Sequence, residues 1–217
     1  MRLPLILLAA TAAITAPIVA QQAPMKAPGS KDVSKVTGGT YAVDPQHTII
    51  RWTVDHLGFS PYFGLFGQPT GTLTLDRKNL GAAKVDITIP VAGVITASPA
   101  LTSHLLRPGK DGGKPDFFGE NPAAARFVST SVTVDSDGDE AKVAGDLTLN
   151  GVTKRVVLDV DFYGAGVQPG RGGAPGKENV GFTAETTIKR SDFGITTAIP
   201  IVSDAVELDI TAAFVKQ

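Results

Sequence analysis

The sequence predicts an all-β protein built as a single antiparallel, eight-stranded barrel with one short helix. Apolar and polar residues alternate along many segments, for example at 85–89, where odd-numbered residues are apolar, and at 206–210, where even-numbered residues are apolar. Strand side chains point alternately to the two faces of a sheet, so each segment buries one face. Short turn-forming stretches separate the segments and indicate antiparallel neighbours. About eight such strands are expected to close on themselves, because closure removes exposed sheet edges.

The N-terminal part of the chain, residues 1–39, differs in composition from the remainder. Residues 1–20 contain Arg2, an uncharged apolar stretch and a small residue, Ala20, which is typical of a secretory signal peptide. A membrane anchor is the alternative, but threonines and prolines interrupt the apolar stretch. Residues 21–39 are rich in Pro, Gly, Ser, Lys and Gln, which favours a flexible linker. We therefore expect one barrel domain at 40–217, exported to the periplasm, with no membrane span in the mature chain.

The expected strands follow the alternation along this domain. The first strand, Thr48–His56, ends before Gly58 and Pro61, which break it. A β-bulge is expected in the strand that begins near Phe127, because its apolar positions change from odd to even. Asn150–Gly151 predicts a two-residue hairpin, since both residues tolerate positive φ. The other expected strands lie around residues 72–75, 83–90, 143–149, 156–162, 182–188 and 206–214.

One helix and two long loops complete the expected fold. A serine cap and a proline at the first helical position predict a helix over Ser98–Arg107, in which Leu101 and Leu105 are spaced four apart. The charged, glycine-rich segment 108–115 predicts a loop. The Gly- and Pro-rich segment 164–176 predicts a second, mobile loop.

The composition argues against several classes of function. Lys and Arg number 20 against 21 for Asp and Glu, so no positive excess favours binding to nucleic acid. The sequence contains no cysteine, which excludes disulfides and thiol chemistry. His47 and His56 lie at odd spacing on one strand and would point to opposite faces, so we expect no metal site and no cofactor. No Gly-x-Ser-x-Gly motif marks a catalytic serine.

With these classes of function disfavoured, the apolar interior is the remaining feature that can carry a function. Its aromatic residues can fill the barrel as a packed core, or they can line a cavity. A packed core has the density of an organic crystal and leaves no room for a guest. Eight strands is also the number at which a barrel can hold one small ligand. Alternation does not measure volume, so both interpretations stay open from the residues alone.

Seven segments with a characteristic order and spacing lie between Tyr41 and Ile195. They are YAVD at 41–44, HTIIRWTVDHLG at 47–58, YFGLFGQPTGTLTLD at 62–76, GVITASPALTSHLLR at 93–107, DFFGENPAAARFVS at 116–129, GDLTLNGVTKRVVLDV at 145–160 and IKRSDFGI at 188–195. Together they resemble the YceI-like family of exported, lipocalin-like, polyisoprenoid-binding barrels. Relative to the usual family pattern, residues 108–115 are an insertion.

The resemblance implies an elongated apolar pocket for an isoprenoid, quinone-like or fatty amphiphile. It implies that Ile50, Trp52, Val54 and His56 of the first strand face this pocket. Strand phase and the positions of aromatic and apolar residues add further candidate ligand-binding residues. They are Phe66, Leu73, Leu75, Val85, Ile87, Ile89, Leu105, Phe117, Phe118, Phe127, Leu147, Leu149, Phe182, Phe193 and Ile210.

We therefore expect a periplasmic protein that sequesters or transports such a lipid without catalysis, either as a monomer or as a homodimer. One alternative is a structural or interaction module with a solid barrel. A second alternative is a secreted enzyme that uses His56 or His104 together with a nearby carboxylate.

Overall fold

The computed structural model describes residues 26–170 and 172–217, in which ten strands and one α-helix form an antiparallel barrel. The expected signal peptide lies outside these residues. The helix α1 spans Pro99–Leu106. The strands are β1 (Gly39–Val43), β2 (Ile49–His56), β3 (Ser60–Phe66), β4 (Thr70–Leu75), β5 (Lys84–Ile89), β6 (Ala125–Val134), β7 (Glu140–Leu149), β8 (Val152–Gln168), β9 (Lys177–Lys189) and β10 (Ala205–Lys216).

The ten described strands occupy eight positions around the barrel wall, which confirms the predicted fold. β1 and β2 pair with different parts of β10, so they follow one another along a single position. β4 pairs with β1, and β3 pairs with β2, so these two strands share the next position. The wall continues from β5 to β10 and closes where Tyr41 of β1 pairs with Lys216 of β10.

Several local predictions are confirmed. The register of β6 shifts between Ser129 and Ser131, where the bulge was expected. Asn150 and Gly151 form the β7–β8 turn with φ of 52° and 76°. The Ser98 side chain accepts a hydrogen bond from the backbone N–H of Leu101 at 3.4 Å and caps α1.

The first strand ends at His56 as predicted, but the strand that follows, β3, was not predicted; Pro61 lies within it and pairs with Asp55. β3 is the last strand in the sheet order. A residue without a backbone N–H is tolerated on such an edge, where one side of the strand has no ladder to complete.

The segment 164–176 is also shorter as a loop than predicted, since β8 continues to Gln168. Residues 164–168 continue the pairing of β8 with residues 177–181 of β9. On the other edge of β8, the backbone of Ser30 forms two hydrogen bonds with Ala165, of 3.0 and 3.1 Å. The flanking glycines permit this approach, because a Cβ at Gly166 would lie 2.1 Å from the carbonyl oxygen of Pro28. Within the expected linker 21–39, residues 30–38 are therefore packed against the barrel.

The two faces of the wall differ as the alternation requires. Ion pairs join neighbouring strands on the outer face, for example Arg51 with Asp209 at 2.7 Å and Arg126 with Asp86 at 2.6 Å. The inner face carries the buried apolar clusters around Tyr41 and Phe127. Within 26–170 and 172–217, no helix combines the length and apolar character that crossing a bilayer requires.

Candidate ligand-binding site

The barrel encloses two large apolar cavities, which we term the lower and upper cavities. The lower cavity has a volume of about 470 Å³, and its wall includes Leu73, Phe162 and Phe214. The upper cavity has a volume of about 550 Å³, and its wall includes Trp52 and Phe118. Volumes of this size are typical of sites for small organic ligands. The interior is therefore hollow, and a solid barrel does not describe it.

The two cavities share part of their walls. Four residues contribute to both, and we term this group the waist: Ile50, Ile89, Leu147 and Leu208. All four are aliphatic and come from β2, β5, β7 and β10, which are distributed around the barrel. The shared wall places the cavities end to end within the barrel. An elongated ligand that used both cavities would pass these four side chains.

All candidate residues but one lie in the wall of one of the two cavities. The lower cavity has the candidates Leu73, Leu75, Val85, Ile87, Phe127, Phe182 and Ile210 in its wall. The upper cavity has Trp52, Val54, His56, Phe66, Leu105, Phe117, Phe118 and Leu149. Ile50, Ile89 and Leu147 belong to the waist. Contact of these residues with a ligand stays a prediction.

Phe193 is the exception, because it lines neither of the two cavities. Its side chain is fully buried and packs in the cluster that contains Phe127 and Val156. Phe193 ends a 3₁₀ turn at 190–193 rather than lying on a strand, so alternation does not determine its direction. The Asn150 side chain donates a hydrogen bond to the backbone carbonyl of Phe193 at 3.0 Å.

Trp52 owes its position to a glycine on the neighbouring strand. It pairs across β2 and β3 with Gly64, and a Cβ at position 64 would lie 2.3 Å from Cζ2 of the indole. Glycine therefore allows the ring to lie across β3, next to Tyr62, whose ring centroid is 6.4 Å away. The indole nitrogen is buried and has no hydrogen-bond partner in the described part of the chain. Trp52 is the single tryptophan of the sequence.

Sequence reasoning missed two kinds of wall residue. Val206, Leu208 and Ile188 line the upper cavity and share the strand phase of candidates already identified, so alternation could have found them. Thr96 and Ile201 also line this cavity, but they lie on irregular segments. No periodic signal exists there.

Arg190 is a buried charged residue in the wall of the upper cavity, with 5% of its surface exposed. Its guanidinium donates to four backbone carbonyls within 195–203: Ser203 and Val202 at 2.8 Å, Thr197 at 2.8 Å and Ile195 at 3.2 Å. Burial lowers the pKa of Arg190, against the attraction of Asp204, which raises it. The side chain therefore fixes the loop that follows it along the chain.

His104 of α1 also lines the upper cavity and lies beside a carboxylate. Its Nε2 is 3.3 Å from Oδ2 of Asp116, and its ring packs edge-on against Phe117 at 5.3 Å. Arg107 binds the same Asp116 oxygen at 2.5 Å, and this hydrogen bond, followed by that of His104, lowers the pKa of Asp116. Asp116 is thus held as the anion between two basic groups, which is an ion-pair arrangement that joins α1 to the segment after it.

A buried polar cluster lies at the lower end of the barrel. Glu178 accepts hydrogen bonds from the Thr37 N–H at 3.0 Å and from the Tyr41 hydroxyl at 2.7 Å, with Lys216 Nζ 3.6 Å away. Burial raises the pKa of Glu178, but the hydrogen bonds outweigh this effect and the net pKa is lowered. Burial and the neighbouring Glu178 raise the pKa of Tyr41 to about 12. The cluster joins residues 37–41 to β9 and β10.

The remaining histidines do not assemble a metal site. His47 is exposed and bonds to Asp44 at 2.6 Å, whereas His56 lies in the wall of the upper cavity. Among residues 26–170 and 172–217, no three His, Asp or Glu side chains come together as a metal ion would require.

Together, the closed antiparallel wall and the apolar interior define a lipocalin-like barrel with a hollow centre. The model of the YceI-like domain matches residues 41–214, and the chain therefore belongs to the YceI-like family. It is 39% identical over 182 residues to Protein YceI of Escherichia coli O157:H7, and the match covers 82% of this chain and 87% of that protein.

Two solved structures place the fold in the same group. A Campylobacter jejuni YceI protein superposes with a TM-score of 0.57 at 31% identity, covering 75% of this chain and 90% of that one. A polyisoprenoid-binding domain from Saccharophagus degradans superposes with a TM-score of 0.52 at 14% identity, covering 82% of this chain and 98% of that one. At this identity, the second likeness concerns the fold alone.

Proposed function

We propose that this protein binds a long apolar molecule of the isoprenoid, quinone-like or fatty class inside its barrel and carries it without chemical change. The observation that supports this most directly is the pair of apolar cavities that meet at the waist. Membership of the YceI-like family supports the proposal, as does the fold shared with a domain named for polyisoprenoid binding. The candidate residues of the cavity walls are the proposed ligand contacts.

The energetics of burial favour a ligand with a long tail. Burial of one CH₂ group contributes about 0.8 kcal/mol, so three isoprene units contribute on the order of 12 kcal/mol before costs. Ordering of the tail and loss of free motion consume several kcal/mol. Micromolar affinity requires about 8 kcal/mol net. We infer that a tail of about three or more units is needed, and that length and width contribute more to recognition than the head group.

We further propose that the protein acts in the periplasm after export. The basic start, the apolar stretch and Ala20 support this proposal. A carrier of a water-insoluble lipid has a clear use in an aqueous compartment between membranes, because the hollow barrel shields the tail from water.

The single tryptophan offers a direct assay, because Trp52 lies in the wall of the upper cavity. Titration with a prenyl alcohol of four isoprene units should change the emission of Trp52 in a saturable way. Organic extraction should then recover the alcohol with its mass unchanged after prolonged incubation. A changed mass would favour the alternative of an enzyme that uses His104 and Asp116.

Two adjacent residues of β10 provide matched variants. Leu208 belongs to the waist, whereas Glu207 is exposed on the outer face. Leu208→Gln places an amide without a partner in the apolar cavity and should weaken binding of the alcohol by about tenfold or more. Glu207→Gln should leave it unchanged within about twofold. Equal effects of the two substitutions, or no uptake by the parent protein, would contradict the proposal.

A further inference from the structure

Three segments at the upper end of the barrel contain no charged residue. Residues 57–69, 90–106 and 193–203 contain no Asp, Glu, Lys or Arg. Each of them contributes to the wall of the upper cavity, for example through Leu57, Leu101 and Ile201. Surface loops of a protein in water normally carry polar and charged residues. Three uncharged segments around one cavity therefore indicate an environment other than water.

Large apolar side chains are exposed on these segments, and we term the group the apolar rim. Phe59, at the tip of the β2–β3 hairpin, is 86% exposed, and Ile201 is 59% exposed. The backbone N–H of Leu57 donates to the Ile201 carbonyl at 2.8 Å, which joins the two loops. The other members of the rim are Leu57, Phe63, Ile95 and Leu101, all with more than 40% of their surface exposed.

The lower end of the barrel has the opposite character. The β6–β7 turn reads Asp135-Ser136-Asp137-Gly138-Asp139-Glu140, and Asp76-Arg77-Lys78 follows β4. Lys31 forms an ion pair with Asp139 at 2.9 Å at this end. Charged residues border the lower cavity through Arg77, Asp139 and Glu140. The two ends of the barrel thus differ: charged turns surround the lower end, whereas three of the segments at the upper end contain no charged residue.

We propose that the apolar rim inserts into the interfacial region of a lipid bilayer and places the upper cavity against the membrane. The rim is continuous with the cavity, because Leu57, Leu101 and Ile201 are exposed and also line it. This inference rests on the proposed function, since a lipid could then pass between bilayer and barrel without crossing water. Exposed aromatic and aliphatic side chains stabilise such docking by burying their apolar surface.

The chemistry of the rim favours a bilayer over a protein partner. Charged side chains give protein interfaces their orientation and specificity, and the three segments of the rim contain none. The segment that joins Leu105 to Phe117, next to the rim, carries a net charge of +1, because Arg107, Lys110 and Lys114 outnumber Asp111 and Asp116 by one. Cationic groups beside an apolar surface are attracted to anionic head groups. The combination suits a membrane that contains anionic lipid.

Vesicle co-sedimentation tests the proposal. The probe is a vesicle of phosphatidylcholine with roughly a quarter of phosphatidylglycerol, a fraction that supplies the anionic surface. The parent protein should sediment with these vesicles. The double variant Phe59→Ser with Phe63→Ser, two exposed rim residues that line neither cavity, should bind at least about tenfold less, because each substitution removes an apolar side chain from the bilayer. Tyr163→Ser is the matched control. Tyr163 is 74% exposed on β8, close to where Ser30 pairs with Ala165 at the lower end of the barrel. The Tyr163→Ser variant should bind vesicles like the parent.

A second measurement does not depend on loss of binding. In a Trp52→Phe background, Phe59→Trp places the single indole at the hairpin tip. Its emission should shift to the blue on addition of vesicles and should be quenched by brominated lipid tails. Unquenched emission in the presence of sedimenting vesicles would overturn the proposed orientation.

The same proteins separate this inference from the proposed function. Uptake of the prenyl alcohol in buffer without vesicles, followed by Trp52 emission, should be equal in the parent and the double variant. Vesicle binding that depends on the rim without any uptake of alcohol would refute the carrier function and leave the docking inference intact.

Absence of vesicle binding by the parent, or an equal loss of vesicle binding in Tyr163→Ser, would overturn the docking inference. A dimer that Phe59→Ser converts to a monomer, with no vesicle binding, would assign the rim to a second copy instead.

Discussion

The two ends of this barrel are both held by a buried ionisable group, but in different ways. At the lower end, Glu178 accepts hydrogen bonds from residues 37–41 and connects regular strands. At the upper end, Arg190 donates to four carbonyls of a segment that has little regular structure of its own. A strand end needs one anchor because its ladder supplies the remaining hydrogen bonds. A loop has no ladder, so one multidentate side chain must satisfy several of its carbonyls at once.

The largest difference between the two ends should appear on removal of Arg190. Arg190→Met keeps the length of the side chain but leaves four buried or half-buried carbonyls without their donor. We expect the free energy of unfolding to fall by about 3 kcal/mol, measured by urea denaturation. Hydrogen exchange should also become faster at 193–203, the segment that forms part of the apolar rim.

A matched control is Arg155→Met, because Arg155 is exposed and its only side-chain hydrogen bond in the described residues is to Thr130 at 2.9 Å. Its effect should stay within about 0.5 kcal/mol. Similar decreases in the free energy of unfolding for both variants would show that the four hydrogen bonds of Arg190 to the upper loop contribute no more stability than one exposed hydrogen bond.

The second prediction concerns acid stability at the lower end. The pKa of Glu178 is lowered in the folded protein, so its ionised form stabilises the fold above the unfolded-state pKa near 4.5. This contribution is lost as the pH falls from that value through the folded-state pKa. Glu178→Gln should therefore reduce the free energy of unfolding by about 1–2 kcal/mol at pH 7, and the difference from the parent should shrink below about pH 4.

Unfolding curves between roughly pH 3 and 7 would measure this difference, with Glu185→Gln as a control in the same strand. Glu185 is exposed, and its substitution should give a small difference at every pH. If the gap between Glu178→Gln and the parent stayed constant from neutral to acid pH, the carboxylate would not be the stabilising form.

The smallest effect should come from the surface of the lower end. Lys31 and Asp139 form an ion pair at 2.9 Å, but 57% and 32% of their side-chain surfaces are exposed. Solvent and salt screen such a pair. Lys31→Ala should leave the urea midpoint of unfolding nearly unchanged, and any small decrease at low salt should disappear in 1 M salt. A decrease as large as that of Glu178→Gln would contradict the view that solvent screens this ion pair.

Prediction from the sequence succeeded where the structure is periodic. Val85, Leu147 and Ile210 lie on strands, and alternation placed all three in the cavity wall. It failed for Phe193, which ends a 3₁₀ turn, and it missed β3, whose place at the edge of the sheet depends on how the sheet is ordered. The strand character of residues 164–168 was missed because their glycines interrupt the alternation, although they pair with residues 177–181 of β9.

The sequence by itself determined which residues face inward, since the direction of a strand side chain depends on local geometry that repeats every second residue. It also determined the cap of α1, the bulge in β6 and the β7–β8 turn, which depend on a few neighbouring residues. Only the tertiary structure decided that the inward face surrounds empty space, because volume depends on the distance between strands far apart in sequence. The four carbonyl partners of Arg190 were decided in the same way, since they come together only when the loop after β9 folds back over the upper cavity.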